Sequence, residues 1–148
     1  MRVVIQRCTN ASVKFNEKEN YIDKGLMVLL GITKGDTIDD IKYIIKKITN
    51  LRIFEDDNYK MNYSVKDING SILLVSQFTL YASTKDGNRP SFTNSLVYDE
   101  AKELYDLFIE ELKKETVPFK TGEFGADMEV SLVNDGPVTI IIDSKERV

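Results

Sequence analysis

Segment 71–83, SILLVSQFTLYAS, begins as an apolar strand and turns polar at Ser76-Gln77 and again at Thr79. Polar side chains in such a strand must find partners or face a cavity. Two readings follow: hydroxyls satisfied by neighbouring backbone, or a strand end that presents Ser, Gln and Thr to a pocket. The chain has no histidine, and Cys8 is its only cysteine. Ser-His-Asp and Cys-His machinery, imidazole zinc sites, an internal disulfide and CxxC metal knuckles are thereby excluded. Thr79 lacks a base to take its proton, so a conventional activated nucleophile is missing its partner. Cys8 reads as a small core residue rather than a catalytic thiol.

Three further stretches have residue types suited to binding. Segment 83–92, STKDGNRPSF, is a loop by its Asp-Gly and Arg-Pro signals, and its Lys85 and Arg89 are either solvated or poised for phosphate. Segment 121–130, TGEFGADMEV, sets two glycines around Phe124, which makes either a bend that buries the ring or an aromatic wall with backbone close beside it. In NDGPVT, 134–139, Asp-Gly between apolar alternations signals a hairpin. Pro137 opposes that signal, because it brings no N–H to a ladder. The acidic run FEDDNYK, 54–60, reads as a solvated loop rather than a Mg²⁺ site.

The elements that must position these residues follow from periodicity. Strands are expected at RVVIQR, ASVKF, 21–32, LRIF, 71–83, MEVSLVN and PVTIIID, with NEKEN and Asn69-Gly70 as turns. Ile38, Ile41, Ile44, Ile45 and Ile48 recur at helical spacing behind Asp36 and Thr37, and Thr37-x-x-Asp40 resembles a capping box. A second helix is expected within 97–115, with Ala101, Leu104, Phe108 and Leu112 on one face and Glu110 paired to Lys114. Many strands with two main helices give an α+β domain with a barrel-like, mostly antiparallel sheet. At 148 residues, without repeats or linker-like segments, 1–148 is read as a single domain. The apolar runs are too short to span a bilayer and MRVVIQR is no signal peptide, so a cytoplasmic protein is expected. A net charge of −4 speaks against a protein that coats nucleic acid, while contact with an RNA end stays open.

Taken together and in order, MRVVIQR, SQFTLYA, KDGNRPSF, GEFGADM and NDGPVT resemble the D-aminoacyl-tRNA deacylases, and the likeness extends over essentially the whole chain. Asp86 departs from the pattern, standing where the family has a second lysine. The resemblance implies a homodimer that cleaves the ester of D-aminoacyl-tRNA, and also mischarged glycyl-tRNA, at the tRNA 3′ end. It implies no cofactor, no metal, no membrane and no DNA. Ser76, Gln77, Phe78 and Thr79 would surround the scissile ester, with backbone N–H groups of Phe78 and Thr79 as oxyanion donors. Ala101 and Phe124 would line the substrate pocket. A cis Gly136-Pro137 unit would enter the partner's site and exclude L-residues with its carbonyls. The 2′-hydroxyl of the terminal adenosine would assist water, with direct attack by Thr79 as the second mechanism. A non-catalytic dimeric RNA-end-binding module and a small-molecule esterase with a threonine nucleophile are the rival readings.

Overall fold

The computed structural model describes residues 1–147, so Val148 of the expected 1–148 domain lies outside the described residues. The first two expected strands are one: β1 runs unbroken over Arg2–Phe15. A two-residue turn at Asn16 and Glu17, with φ of 47° and 61°, returns the chain into β2 (Lys18–Ile22). Two positive φ values in succession are the mark of the tight hairpin turn whose twist matches its strands. The expected strand over 21–32 is broken at Asp23-Lys24, and β3 (Gly25–Gly31) continues beyond it. The two pieces share one edge of β1: β3 pairs with residues 2–8 and β2 with residues 11–15.

Helix α1 (Ile38–Asn50) starts where its capping signals put it. The Thr37 side chain accepts from the Asp39 N–H, and the Asp40 carboxylate accepts from the Thr37 N–H at 2.8 Å. A short hairpin of β4 (Phe54–Glu55) and β5 (Met61–Tyr63) flanks the acidic turn. Next come β6 (Ser71–Ser76), a four-residue 3₁₀ turn (Phe78–Tyr81), α2 (Tyr98–Leu112), β7 (Phe119–Thr121) and β8 (Glu129–Asp143).

The sheet is mixed rather than mostly antiparallel. β1 pairs antiparallel with β2, β3 and β8, while β6 lies parallel to β3 and β7 parallel to β6. The reason is visible in GLMVLLG and SILLVS, which are apolar on both faces, as parallel strands covered on both sides require. On one face Val28, Leu30, Ile72 and Leu74 meet the helices. On the other, Met27, Leu73, Val75 and Cys8 fill the curl of the sheet. The Asn20 side chain, donating to the Thr121 carbonyl at 2.6 Å, links β2 to β7 and nearly closes a barrel. Ile41, Ile44, Ile45 and Ile48 are buried as their spacing demands, and on α2 Tyr105 joins Ala101, Phe108 and Leu112, with Leu104 half-buried. Glu110 pairs with Lys113 at 3.0 Å, not with Lys114, which takes Glu111 at 2.8 Å.

NDGPVT forms no hairpin. The closing segment is one strand, β8, that pairs with β1 from end to end except at two irregularities, a bulge between Gln6 and Cys8 and a one-residue shift between Cys8 and Asn10. Thr139 is opposite Gln6 and Asn134 opposite Cys8, so the four residues Asp135 to Val138 face the single residue Arg7. A bulge leaves residues outside the ladder, where a proline without an N–H costs nothing. Among the described residues no helix is long and apolar enough to cross a membrane.

Candidate functional site

The carboxyl ends of the parallel strands β3, β6 and β7 point the same way, and a cavity of about 510 Å³ opens there. Crevices of this kind arise where parallel strands end and their chains diverge. Leu30 and Val75 form its apolar floor, and Ser76, Gln77 and Phe78 enter from the end of β6. The expected strand over 71–83 stops at Ser76, and the Gln77 N–H makes a last bond to the Leu30 carbonyl at 2.8 Å. The chain then winds into the 3₁₀ turn. Phe78 and Thr79 open that turn, so their N–H groups have no partner within it.

Opposite, the segment after β7 folds back so that Phe124 both packs against the core, as the first reading of 121–130 has it, and lines the cavity, as the second does. The Phe124 ring packs at 5.2 Å from Tyr98 and 5.1 Å from Tyr105, half-buried and facing the cavity. Gly125 follows with φ +78°, and a β-carbon on it would lie 2.6 Å from the Tyr98 ring. No other residue type fits that approach. Ala101, on the buried side of α2, completes the wall.

The structure thus brings Ser76, Gln77, Phe78, Ala101 and Phe124 to one cavity. Thr79 stands one residue further along the turn with its side chain exposed, accepting a hydrogen bond from the Gln77 amide. Gly136 and Pro137 do not reach this cavity; they are exposed on the β8 bulge of the same chain. The bond between them is cis, as the resemblance implies. Lys85, Asp86 and Arg89 are exposed on the loop after the turn. Cys8 is fully buried, and burial pushes its thiol up to about 11, which makes it inert at neutral pH.

Two residues in this region carry no signal that singles them out in the sequence. Arg7 is buried and spans the bulge: Nε donates to the Asp135 carbonyl at 3.0 Å and Nη1 to the Ile53 carbonyl at 2.6 Å. Its guanidinium also faces the Asp135 carboxylate at 3.5 Å. Asp127 lines the cavity mouth and is the one carboxylate among its described lining residues. A basic residue closing the expected strand RVVIQR and an acid within a glycine-bordered bend were the signals available. Neither shows its contacts in sequence.

The family model for D-Tyr-tRNA(Tyr) deacylase matches residues 4–143. The chain is 59% identical to a D-aminoacyl-tRNA deacylase of Finegoldia magna, over 99% of this chain and 100% of that protein. It is 53% identical to the D-aminoacyl-tRNA deacylase of Clostridium novyi, over 99% of each. The solved structure of a protein named c-Myc DNA Unwinding Element Binding Protein superposes with a TM-score of 0.91 at 42% identity, covering 97% of this chain and 98% of that one.

Proposed function

The chain belongs to the D-Tyr-tRNA(Tyr) deacylase family, and on that premise we propose that it hydrolyses the ester of D-aminoacyl-tRNA, releasing the amino acid and tRNA. The observation that carries the chemistry is the opening of the 3₁₀ turn. Two backbone N–H groups, at Phe78 and Thr79, stand unpaired within the turn beside a cavity of about 510 Å³. Attack of water on the ester carbonyl puts negative charge on its oxygen, and fixed N–H donors stabilise that charge by roughly 100- to 1000-fold in rate per donor. An aminoacyl ester is already activated, so little more is required. Ser76 and Gln77 orient the ester, and Ala101 and Phe124 enclose the amino acid and the terminal nucleoside. The 2′-hydroxyl next to the ester assists the attacking water. Direct attack by Thr79 is disfavoured, because its exposed hydroxyl is engaged by Gln77, an amide that cannot act as a base.

The active unit is a homodimer of one-domain chains, residues 1–148. Among the described strands β8 pairs with β1 alone, and its Val133 and Ile141 are 53% and 63% exposed. An unpaired apolar strand edge invites a second copy. Gly136 and Pro137, exposed and remote from their own cavity, then enter the partner's, where their carbonyls meet an L-side chain and spare a D-side chain or glycine. That leaves mischarged glycyl-tRNA as a second substrate. Charged tRNA as substrate implies work in the cytoplasm.

The test compares hydrolysis of D- and L-aminoacyl-tRNA with the same side chain, alongside light scattering. Rapid cleavage of the D-ester alone, by a particle of twice 16.9 kDa, is expected. An intact D-ester would overturn the catalytic reading in favour of an RNA-end binder. A fully active monomer would overturn the shared site.

A further inference from the structure

The turn that bears the two N–H donors is poorly secured by its own bonds. It spans four residues, none of them buried, and its Leu80 N–H reaches the Gln77 carbonyl at a long 3.3 Å. Short 3₁₀ pieces have inferior hydrogen-bond geometry and depend on their surroundings. An oxyanion donor must nevertheless hold its place to within a few tenths of an ångström.

Arg2 supplies that support from behind. Its Nη1 donates to the Leu80 carbonyl at 3.0 Å, and the guanidinium sits 4.8 Å from the centre of the Tyr81 ring. Its Nε donates to Asp143 Oδ2 at 2.9 Å. Asp143 is fixed in turn, because its other oxygen accepts the N–H groups of Lys145 at 2.8 Å and Glu146 at 3.0 Å. The turn lies flush on β3: a β-carbon at Gly31 would sit 3.0 Å from Leu80 Cβ and 3.2 Å from the Tyr81 ring. The Tyr81 hydroxyl is buried without a partner, so the ring is held by stacking and packing rather than by its polar end. A planar fork that stacks and donates in two directions is what arginine provides and lysine does not.

We infer that Arg2 is a positioning residue for deacylation, clamping the Phe78–Tyr81 turn to the end of β8 so that the Phe78 and Thr79 N–H groups keep their aim. The inference rests on the deacylase reading above. Arg2 touches no substrate in it and acts only through the turn. β1 thereby braces both halves of the site, with Arg7 under the Gly136-Pro137 bulge and Arg2 under the donor turn.

The experiment uses full-length Arg2→Leu and Arg2→Lys, steady-state and single-turnover hydrolysis of a D-aminoacyl-tRNA, and amide hydrogen exchange resolved to residues 78–82. Arg2→Leu is expected to lose on the order of tenfold in kcat with KM within roughly twofold, and to exchange faster in the turn while α1 stays protected. Arg2→Lys should recover only part of the rate. Two outcomes overturn the clamp: folded Arg2→Leu with wild-type kcat, or turn exchange unchanged in both variants. A wild type inactive on D-esters would instead sink the deacylase reading, and the exchange measurement would still decide whether Arg2 holds the turn.

Discussion

The cavity at the end of β6 and the bulge in β8 are built on opposite principles. The cavity is walled by side chains of its own chain, Phe124 against Tyr98 and Tyr105, yet its proposed donors are backbone groups on a weakly bonded turn. The bulge has Gly136 and Pro137 exposed, yet a buried arginine holds its Asp135 carbonyl and anchors it to the Ile53 carbonyl ahead of β4. A loop that only connected two strand halves would not need a buried guanidinium beneath it. Rigid and exposed together suit a surface that must meet something with its main chain. In the proposed reaction the cavity would recognise by enclosure and the bulge by held geometry.

The largest effect expected from breaking that contrast is at Gly136. Its φ of +130° lies where only glycine is at ease, and an added β-carbon would sit 2.8 Å from Val138 Cγ2 and 3.0 Å from Arg7 Nη2. Gly136→Ala should displace the bulge backbone, lowering D-ester hydrolysis by on the order of 100-fold while costing about 1–3 kcal/mol in stability. Single-turnover rates with urea unfolding separate the two. A folded Gly136→Ala protein with the wild-type D-to-L ratio would mean chirality is read inside the cavity instead.

Arg7→Leu acts on the same bulge from beneath. It strands the buried carbonyl of Ile53 and frees that of Asp135, so a loss of about 2–4 kcal/mol is expected from bonds to a charged donor. Chiral discrimination should weaken more than the D-rate itself, because the carbonyls become mobile rather than displaced. Equal losses on D- and L-esters would instead reduce Arg7 to a plain structural residue.

These two positions also mark how far the sequence could be read. Local signals were reliable in α1: Thr37 and Asp40 cap it because a capping box needs only four consecutive residues, and the isoleucine stripe buries itself for the same reason. The polar switch at Ser76 coincides with the end of β6 beside the cavity, while Thr79 stands outside the lining. The hairpin signal at Asp135-Gly136 failed because turn propensity cannot tell a reversal from a bulge; pairing with β1 on both sides decides it. The parallel pairs were encoded in the doubly apolar β3 and β6, but strand direction is set by partners distant in sequence. Arg7 joins positions 53 and 135, a contact made only in three dimensions.

Thr79→Ala sharpens the cavity side of the comparison. If the turn works through its backbone, removing an exposed hydroxyl that only accepts from Gln77 should cost less than about tenfold in kcat. Removal of a true nucleophile would bring the rate near background, and a trapped acyl-threonine would then replace water as the attacking group.

The smallest effect should come from a control for exposure and backbone strain alone. Tyr59 caps the hairpin between β4 and β5, is 86% exposed and has φ +60°. It therefore shares with Gly136 both solvent access and a positive φ, but no buried side chain is bonded to its carbonyl or its N–H, which reaches only the Asp56 carbonyl at 3.0 Å. A left-handed non-glycine residue costs about 1–2 kcal/mol, and glycine gives back roughly 0.5–1 kcal/mol of that through the freer unfolded chain. Tyr59→Gly should thus stabilise the protein by about 0.5 kcal/mol, a midpoint rise of about 1–2 °C. Its D-to-L ratio should not move. If it did, exposure with positive φ would be enough to tie a hairpin to the site, and the contrast drawn from Arg7 beneath Gly136 would lose its force.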